Sequence, residues 1–249
     1  MKPFLHARIS ARVFGGHWRD TLPIHDLIDS SKAAHPTMRH RAVFHSDLGV
    51  SIVEAVFAAT QKTGPKGLPP AKTVAIQHIE DDLGRVPSVA EWASCLRLPD
   101  AALRPPKRLG TAAFREDPAA AAAAKWGGTA DVYRSLIEWF DEPERQTGDR
   151  RAAFMLQNSF GLFLSERVFG PVIEVARSRY VPVRDIGEAL LLARHGTIPS
   201  LDGVLRCLEL KSWMYPEPSG RLHDEVSAAL RRRRAHNVDL KRSSTTRIT

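Results

Sequence analysis

The sequence predicts an all-α protein in which one small helical domain occurs twice in tandem. Three observations carry this. Apolar residues recur at helical spacing along most of the 249-residue chain. The chain matches itself without gaps when shifted by 112 residues. Strand character is confined to one short stretch, residues 172–175 and 180–183, which flank a polar segment and predict a minor β-hairpin.

In the first copy, residues 4–13 read as a helix ended by Gly15-Gly16. A second helix covers residues 21–34, with Pro23 in its first turn. The longest covers residues 37–57, with His45, Leu48, Ile52 and Val56 on one stripe. A fourth covers residues 71–83 and stops at Gly84. A fifth begins at Ser88, which forms a capping box with Glu91. The alanine-rich residues 119–124 begin the second copy's first helix, because alanine is the best helix former. Where the second copy has its hairpin, the first has TQKTGPKGLPP, which reads as a loop.

The 112-residue shift superposes 17 identical residues between positions 7 and 98 of the first copy and their counterparts. They include Gly15-Gly16 on Gly127-Gly128, Gly49 on Gly161, Gly84 on Gly196, Pro87-Ser88 on Pro199-Ser200 and Cys95 on Cys207. Glycine and proline mark special backbone geometry, so their recurrence argues for a recurring fold. The domains predicted are residues 1–98, a Pro- and charge-rich linker over 99–117, a second copy over 118–214, and a basic extension over 215–249 with a helix at residues 222–235. Each cysteine sits beside a Leu-x-Leu pair and reads as a small buried hydrophobe. The alternative is a bridge across the pseudo-twofold.

Composition excludes several classes. With 43% hydrophobic and 26% charged residues, the chain is not disordered, fibrous or collagen-like. Two cysteines exclude a disulfide scaffold and fit a reducing compartment. No apolar run reaches membrane-spanning length, and MKPFLHARISARVF is too polar for a signal peptide, so a cytoplasmic protein without membrane contact is expected. The net charge is +8, yet residues 231–249 alone carry +6. Arg231, Arg232, Arg233, Arg234, Lys241 and Arg242 would bind a nucleic acid or an acidic protein by releasing counterions. The plain alternative is a solvated helix end. The chain also leaves room for a homo-oligomer.

The two copies differ most in ionisable residues. Seven of the ten histidines lie in the first 78 residues, whereas the second copy has only His195. His25 faces Ile137, His78 faces Leu190, His40 faces Ala152, Arg41 faces Ala153, Asp81 faces Ala193 and His45 faces Gln157. Positions that accept aliphatic side chains in one copy are plausibly enclosed in the other. Enclosed charges are costly unless paired, wetted or metal-bound. His25 and Asp29, Arg41 and His45, and His78 and Asp82 each stand four apart on a helix face. His25, Asp29, His45, His78 and Asp82 are therefore the candidate ligands of a divalent metal, with Arg41 as a catalytic group steadying an anion. His25-Asp26 is also an HD dipeptide, similar to that of helical metal-dependent phosphohydrolases. The plain alternative is structural pairing. Glu54 recurs as Glu166 and reads as a structural partner for Arg39 and Arg151. Neither a nucleophile elbow nor a dinucleotide loop is present.

The first copy carries F-G-G, P-I-H-D, D-S-S-K, R-H-R-A, H-S and D-L-G-R-V-P between Phe14 and Pro87. These segments resemble an uncharacterised family of small proteins encoded by bacteria and their phages, a domain of unknown function. The second copy keeps W-G-G, G-L-F-L-S-E-R-V-F-G, V-P-V-R and I-P-S. The resemblance implies a bacterial or phage origin and no reaction. Two functions are expected from the residues: metal-dependent or acid–base chemistry on a phosphoester in the first copy, or a non-enzymatic assembly or adaptor protein acting through its basic tail.

Overall fold

A computed structural model describes residues 1–63, 67–103 and 112–215, and Met1–Met214 form one unit. The basic residues from Arg231 onward and the helix expected over 222–235 lie outside the described residues. Among the described residues the protein is mainly helical, with one two-stranded sheet.

The first copy contains α1 (Pro3–Phe14), α2 (Trp18–Asp29), α3 (Arg41–Phe44), α4 (Asp47–Thr63), α5 (Ala71–Leu83) and α6 (Val89–Ser94). Two short helices follow where a linker was expected, α7 (Asp100–Leu103) and α8 (Ala112–Glu116). The second copy contains α9 (Pro118–Trp126), α10 (Ala130–Thr147), α11 (Arg150–Ala153) and α12 (Ser159–Phe169). It continues with the hairpin β1 (Val172–Ala176) and β2 (Arg179–Pro182), then α13 (Val183–His195) and α14 (Leu201–Arg206). The 112-residue offset carries the bounds of α5 onto α13 and of α6 onto α14. It also carries the starts of α2 and α4 onto those of α10 and α12.

Two glycine pairs show why the frame is retained. A Cβ at Gly49 would lie 2.0 Å from the Phe44 carbonyl oxygen, and one at Gly161 would lie 1.7 Å from that of Leu156. Only glycine lets these helix starts rest on the preceding turn. Gly84 and Gly196 both end their helices in the left-handed conformation.

The expected helix over residues 37–57 is broken. A 3₁₀ turn over Met38–His40 leads into α3, and His45-Ser46 separate α3 from α4. The Ser46 hydroxyl caps α4 by accepting from the Gly49 N–H at 3.2 Å. The break turns His45 inward beside α5, and the buried stripe resumes at Leu48 and Ile52. Helix α2 starts earlier than expected. His17 and Asp20 form its capping box, which leaves Pro23 inside the helix.

The copies pack reciprocally. Leu96 and Leu208 form an antiparallel bridge. On either side, Arg97 N–H donates to the Cys207 carbonyl and Glu209 N–H donates to that of Cys95, both at 2.8 Å. These bonds are exchanged by the 112-residue offset, as an isologous contact requires. Both cysteines are free, with Cys95 buried beside the bridge. Phe44 meets Phe160 edge-on across the same interface. Glu54 is exposed and partners neither arginine: Glu166 pairs with Arg184, Arg151 with Asp149, and Arg39 Nε donates to the Leu208 carbonyl.

Candidate metal centre

The described helices of the first copy bring one group of ionisable side chains into its core. α2 supplies His25 and Asp29, α5 supplies His78 and Asp82, the start of α3 supplies Arg41, and the break before α4 supplies His45. All six are buried, at 5% exposure or less. One ligand atom from each of Asp29, His45, His78 and Asp82 lies within 4.8 Å of the others. His25 stands behind His78 instead of joining the four, with their Nδ1 atoms 2.9 Å apart. Asp26 is exposed on the far face of α2. His40 is a further buried imidazole, its Nε2 3.7 Å from Asp29 Oδ1.

Polarity along the hydrogen bonds behind His78 is fixed from one end. Asp81 Oδ2, a carboxylate oxygen, accepts from Gln77 Nε2 at 2.7 Å. That bond orients the amide so that Gln77 Oε1 accepts from the Ser10 hydroxyl. The Ser10 oxygen, 2.9 Å from His25 Nε2, is left to accept the His25 proton. Burial, reinforced by His6, pushes His25 down to about 3. Neutral His25 therefore presents a lone pair at Nδ1, to which His78 Nδ1–H donates. Burial, followed by the neighbouring histidines, also holds His78 well below its usual range. Neutral His78 is thus left with a bare lone pair at Nε2.

That lone pair faces two carboxylates. Asp29 Oδ1 is 3.8 Å away and Asp82 Oδ2 is 4.0 Å away. Neither His78 Nε2 nor Asp29 Oδ1 has a hydrogen-bond partner, although both are buried. Burial opposes ionisation of Asp82, but His45 and His6 beside it hold its carboxyl far below the carboxylate range. Asp29 is likewise held down by His40 and Lys32 against its burial. The lone pairs of His78 Nε2 and Asp29 Oδ1 therefore face each other at 3.8 Å with no proton between them, an arrangement that costs energy unless a cation is shared, while Asp82 Oδ2 beside them is also held by Arg41.

Other contacts anchor the carboxylates. Lys32 Nζ is 2.6 Å from Asp29 Oδ2. Arg41 holds Asp82 Oδ2 at 2.9 Å and donates to the carbonyls of Asp82 and Met214. His45 Nε2 lies 3.2 Å from Asp82 Oδ2, and burial pushes His45 down to about 4. The α-amino group of Met1 donates to Asp82 Oδ1 at 2.9 Å. His6 stacks on His78 with ring centroids 3.9 Å apart and bonds Asp81 through Nδ1.

The second copy has lost this arrangement at every buried position but one. Asp141 remains where Asp29 stands, but Arg194 replaces Asp82 and binds it, with Nη2 2.7 Å from Asp141 Oδ2. Ile137, Ala152, Ala153 and Leu190 fill the positions of His25, His40, Arg41 and His78, and all are buried. The model of a domain of unknown function, DUF6915, matches residues 1–101 and again residues 116–214. The chain belongs to the DUF6915 family. It carries two tandem copies of that domain, one with the histidine–aspartate cluster and one without. No curated protein and no solved structure matches it.

His6, Ser10, Gln77 and Lys32 were absent from the sequence-predicted site. His6 and Ser10 stand four apart on α1, the spacing that would have flagged a second polar pair on one helix face. Gln77 stands four before Asp81 and Lys32 three after Asp29, spacings that carry the same signal.

Proposed function

We propose that the first DUF6915 copy binds one divalent transition-metal ion between Asp29, His45, His78 and Asp82. The observation that carries this is the lone pair of His78 Nε2, aimed at two carboxylate oxygens with no proton between. Two imidazoles and two carboxylates form a mixed nitrogen–oxygen set suited to zinc and its first-row neighbours. His25 then acts as the outer partner that fixes the tautomer of a ligating histidine. Low proton affinity at His45, His78, Asp29 and Asp82 keeps the imidazoles neutral and the carboxyls ionised at neutral pH, as metal binding needs.

The test is metal content. Full-length protein is loaded with Zn²⁺, gel-filtered and analysed by mass spectrometry, beside Asp29→Asn, which preserves shape. The proposal expects about one ion per chain in the wild type and a large loss in the variant. Equal content in both would reject it.

A second reading adds hydrolysis of a phosphoester by water activated on that ion. What favours it is Arg41, whose Nε–H is buried beside Asp82 with no acceptor and is a donor for an anion. Metal-loaded protein should then cleave bis(p-nitrophenyl) phosphate, and Arg41→Lys should lose that activity while keeping its metal. No turnover above free Zn²⁺ would leave metal binding intact and reject hydrolysis.

A further inference from the structure

The second copy keeps the frame of the first copy's cluster without its contents. Alanines stand at 152, 153 and 193, where the first copy has His40, Arg41 and Asp81. Small side chains in place of large ones open a space, and a pocket of about 470 Å³ lies there. Asp141, Ala153, Gln157, Ala193 and Arg194 line it, and these are the counterparts of Asp29, Arg41, His45, Asp81 and Asp82. The volume is in the range of small-molecule sites. Arg194 stands at the position of Asp82, and its guanidinium holds Asp141, the counterpart of Asp29.

The pocket has an apolar wall and a basic side. Phe114, Pro118, Ala153 and Phe154 form the wall. Gln157 and His195, joined at 2.9 Å, also line it, and the His195 ring meets that of Phe154 with centroids 4.9 Å apart. Three arginines line the pocket, and two of them are used: Arg194 by Asp141 and Arg145 by Glu142. Arg150 has no carboxylate partner among the described residues. Its side chain lines the pocket beside Ala153 and Phe154. Glu144 also lines the space, without an ion-pair partner among the described residues, and disfavours ligands of high negative charge.

We infer that this pocket binds a small organic monocarboxylate with an aromatic or apolar body, its carboxylate on Arg150 and its body against Phe114, Ala153 and Phe154. A guanidinium free of other carboxylates is the natural partner of a planar carboxylate. The aromatic wall gives the remainder of the ligand its burial.

Benzoate, benzamide and inorganic phosphate are the probes, titrated into ¹⁵N-labelled full-length protein. Benzoate should bind saturably and shift amides of Ala153, Gln157 and Ala193. Benzamide and phosphate should each bind at least about tenfold more weakly, the loss expected when a charged hydrogen bond is removed or mismatched. Arg150→Ala, an exposed substitution that leaves the core intact, should weaken benzoate by about tenfold or more. The inference is overturned if benzoate leaves these amides unmoved, if benzamide or phosphate binds as well, or if Arg150→Ala binds benzoate like the wild type. None of these outcomes depends on a metal in the first copy.

Discussion

His25 and His78 meet Nδ1 to Nδ1 at 2.9 Å in the core of the first DUF6915 copy, and the chain of donors behind His25 decides which of them carries the proton. Because His25 accepts, His78 must turn its lone pair toward Asp29 and Asp82. A buried pair of histidines thereby becomes a directed donor.

Removing the acceptor without removing a ligand tests that step. His25→Phe leaves His78 Nδ1–H without a partner and frees the ring to adopt the other tautomer. Zn²⁺ affinity, measured by competition with a chelator, should fall by about 10–100-fold, the usual effect of losing an outer partner of a metal-bound histidine. Unchanged affinity would show that the tautomer is set elsewhere.

The duplication makes a paired prediction. Gly49→Ala and Gly161→Ala each drive a Cβ into a carbonyl oxygen, at 2.0 Å and 1.7 Å. Each should lower stability by about 3 kcal/mol or more in urea unfolding, near the upper end for single substitutions. A large loss from one and none from the other would break the structural equivalence of the copies.

Stability should also fall in mild acid through His195. Burial, then Arg194 and Arg150, hold it at about 4 against an ordinary 6.5. Between those values the unfolded chain binds more protons than the native one, so stability rises with pH across that window. The contribution is full above pH 6.5 and is lost progressively as pH falls to 4. His195→Gln should flatten that part of the stability–pH curve relative to wild type. An unchanged slope would mean that His195 protonates freely in the folded state.

The basic tail carries an expectation of its own. Residues 231–249 hold seven basic residues against Asp239. Heparin or duplex DNA should bind the full chain in a salt-sensitive manner, and deletion of 231–249 should abolish that binding. Persistence of the salt-sensitive binding after deletion would assign it to residues 1–230 instead.

Much of the frame was legible because local chemistry agrees with the fold. Gly84, the Ser88–Glu91 box and the hairpin after Pro171 are set by backbone preference and were readable as such. The break at His45-Ser46 was not. Helical periodicity runs through it, and the contact that enforces it, Gly49 against the Phe44 carbonyl, becomes visible only once the chain is folded. The structure likewise places His25 behind His78, a distinction that spacing of four cannot express. Spacing also does not show that the Arg41 guanidinium holds Asp82 and the Met214 carbonyl through its Nη atoms. Glu54 misled because its counterpart Glu166 pairs with Arg184 of α13, while position 72 in α5 is a lysine with no such bond to Glu54. The second copy's pocket was hidden for a related reason: substitutions to alanine reveal a space only when the surrounding helices are known not to collapse into it.

The most direct measurement is zinc K-edge X-ray absorption on the Zn²⁺-loaded full-length protein. The account predicts about two imidazole nitrogens and two carboxylate oxygens at roughly 2.0–2.2 Å, with the imidazole scattering reduced in His78→Ala. A spectrum of oxygen scatterers alone, or one indifferent to His78, would contradict it.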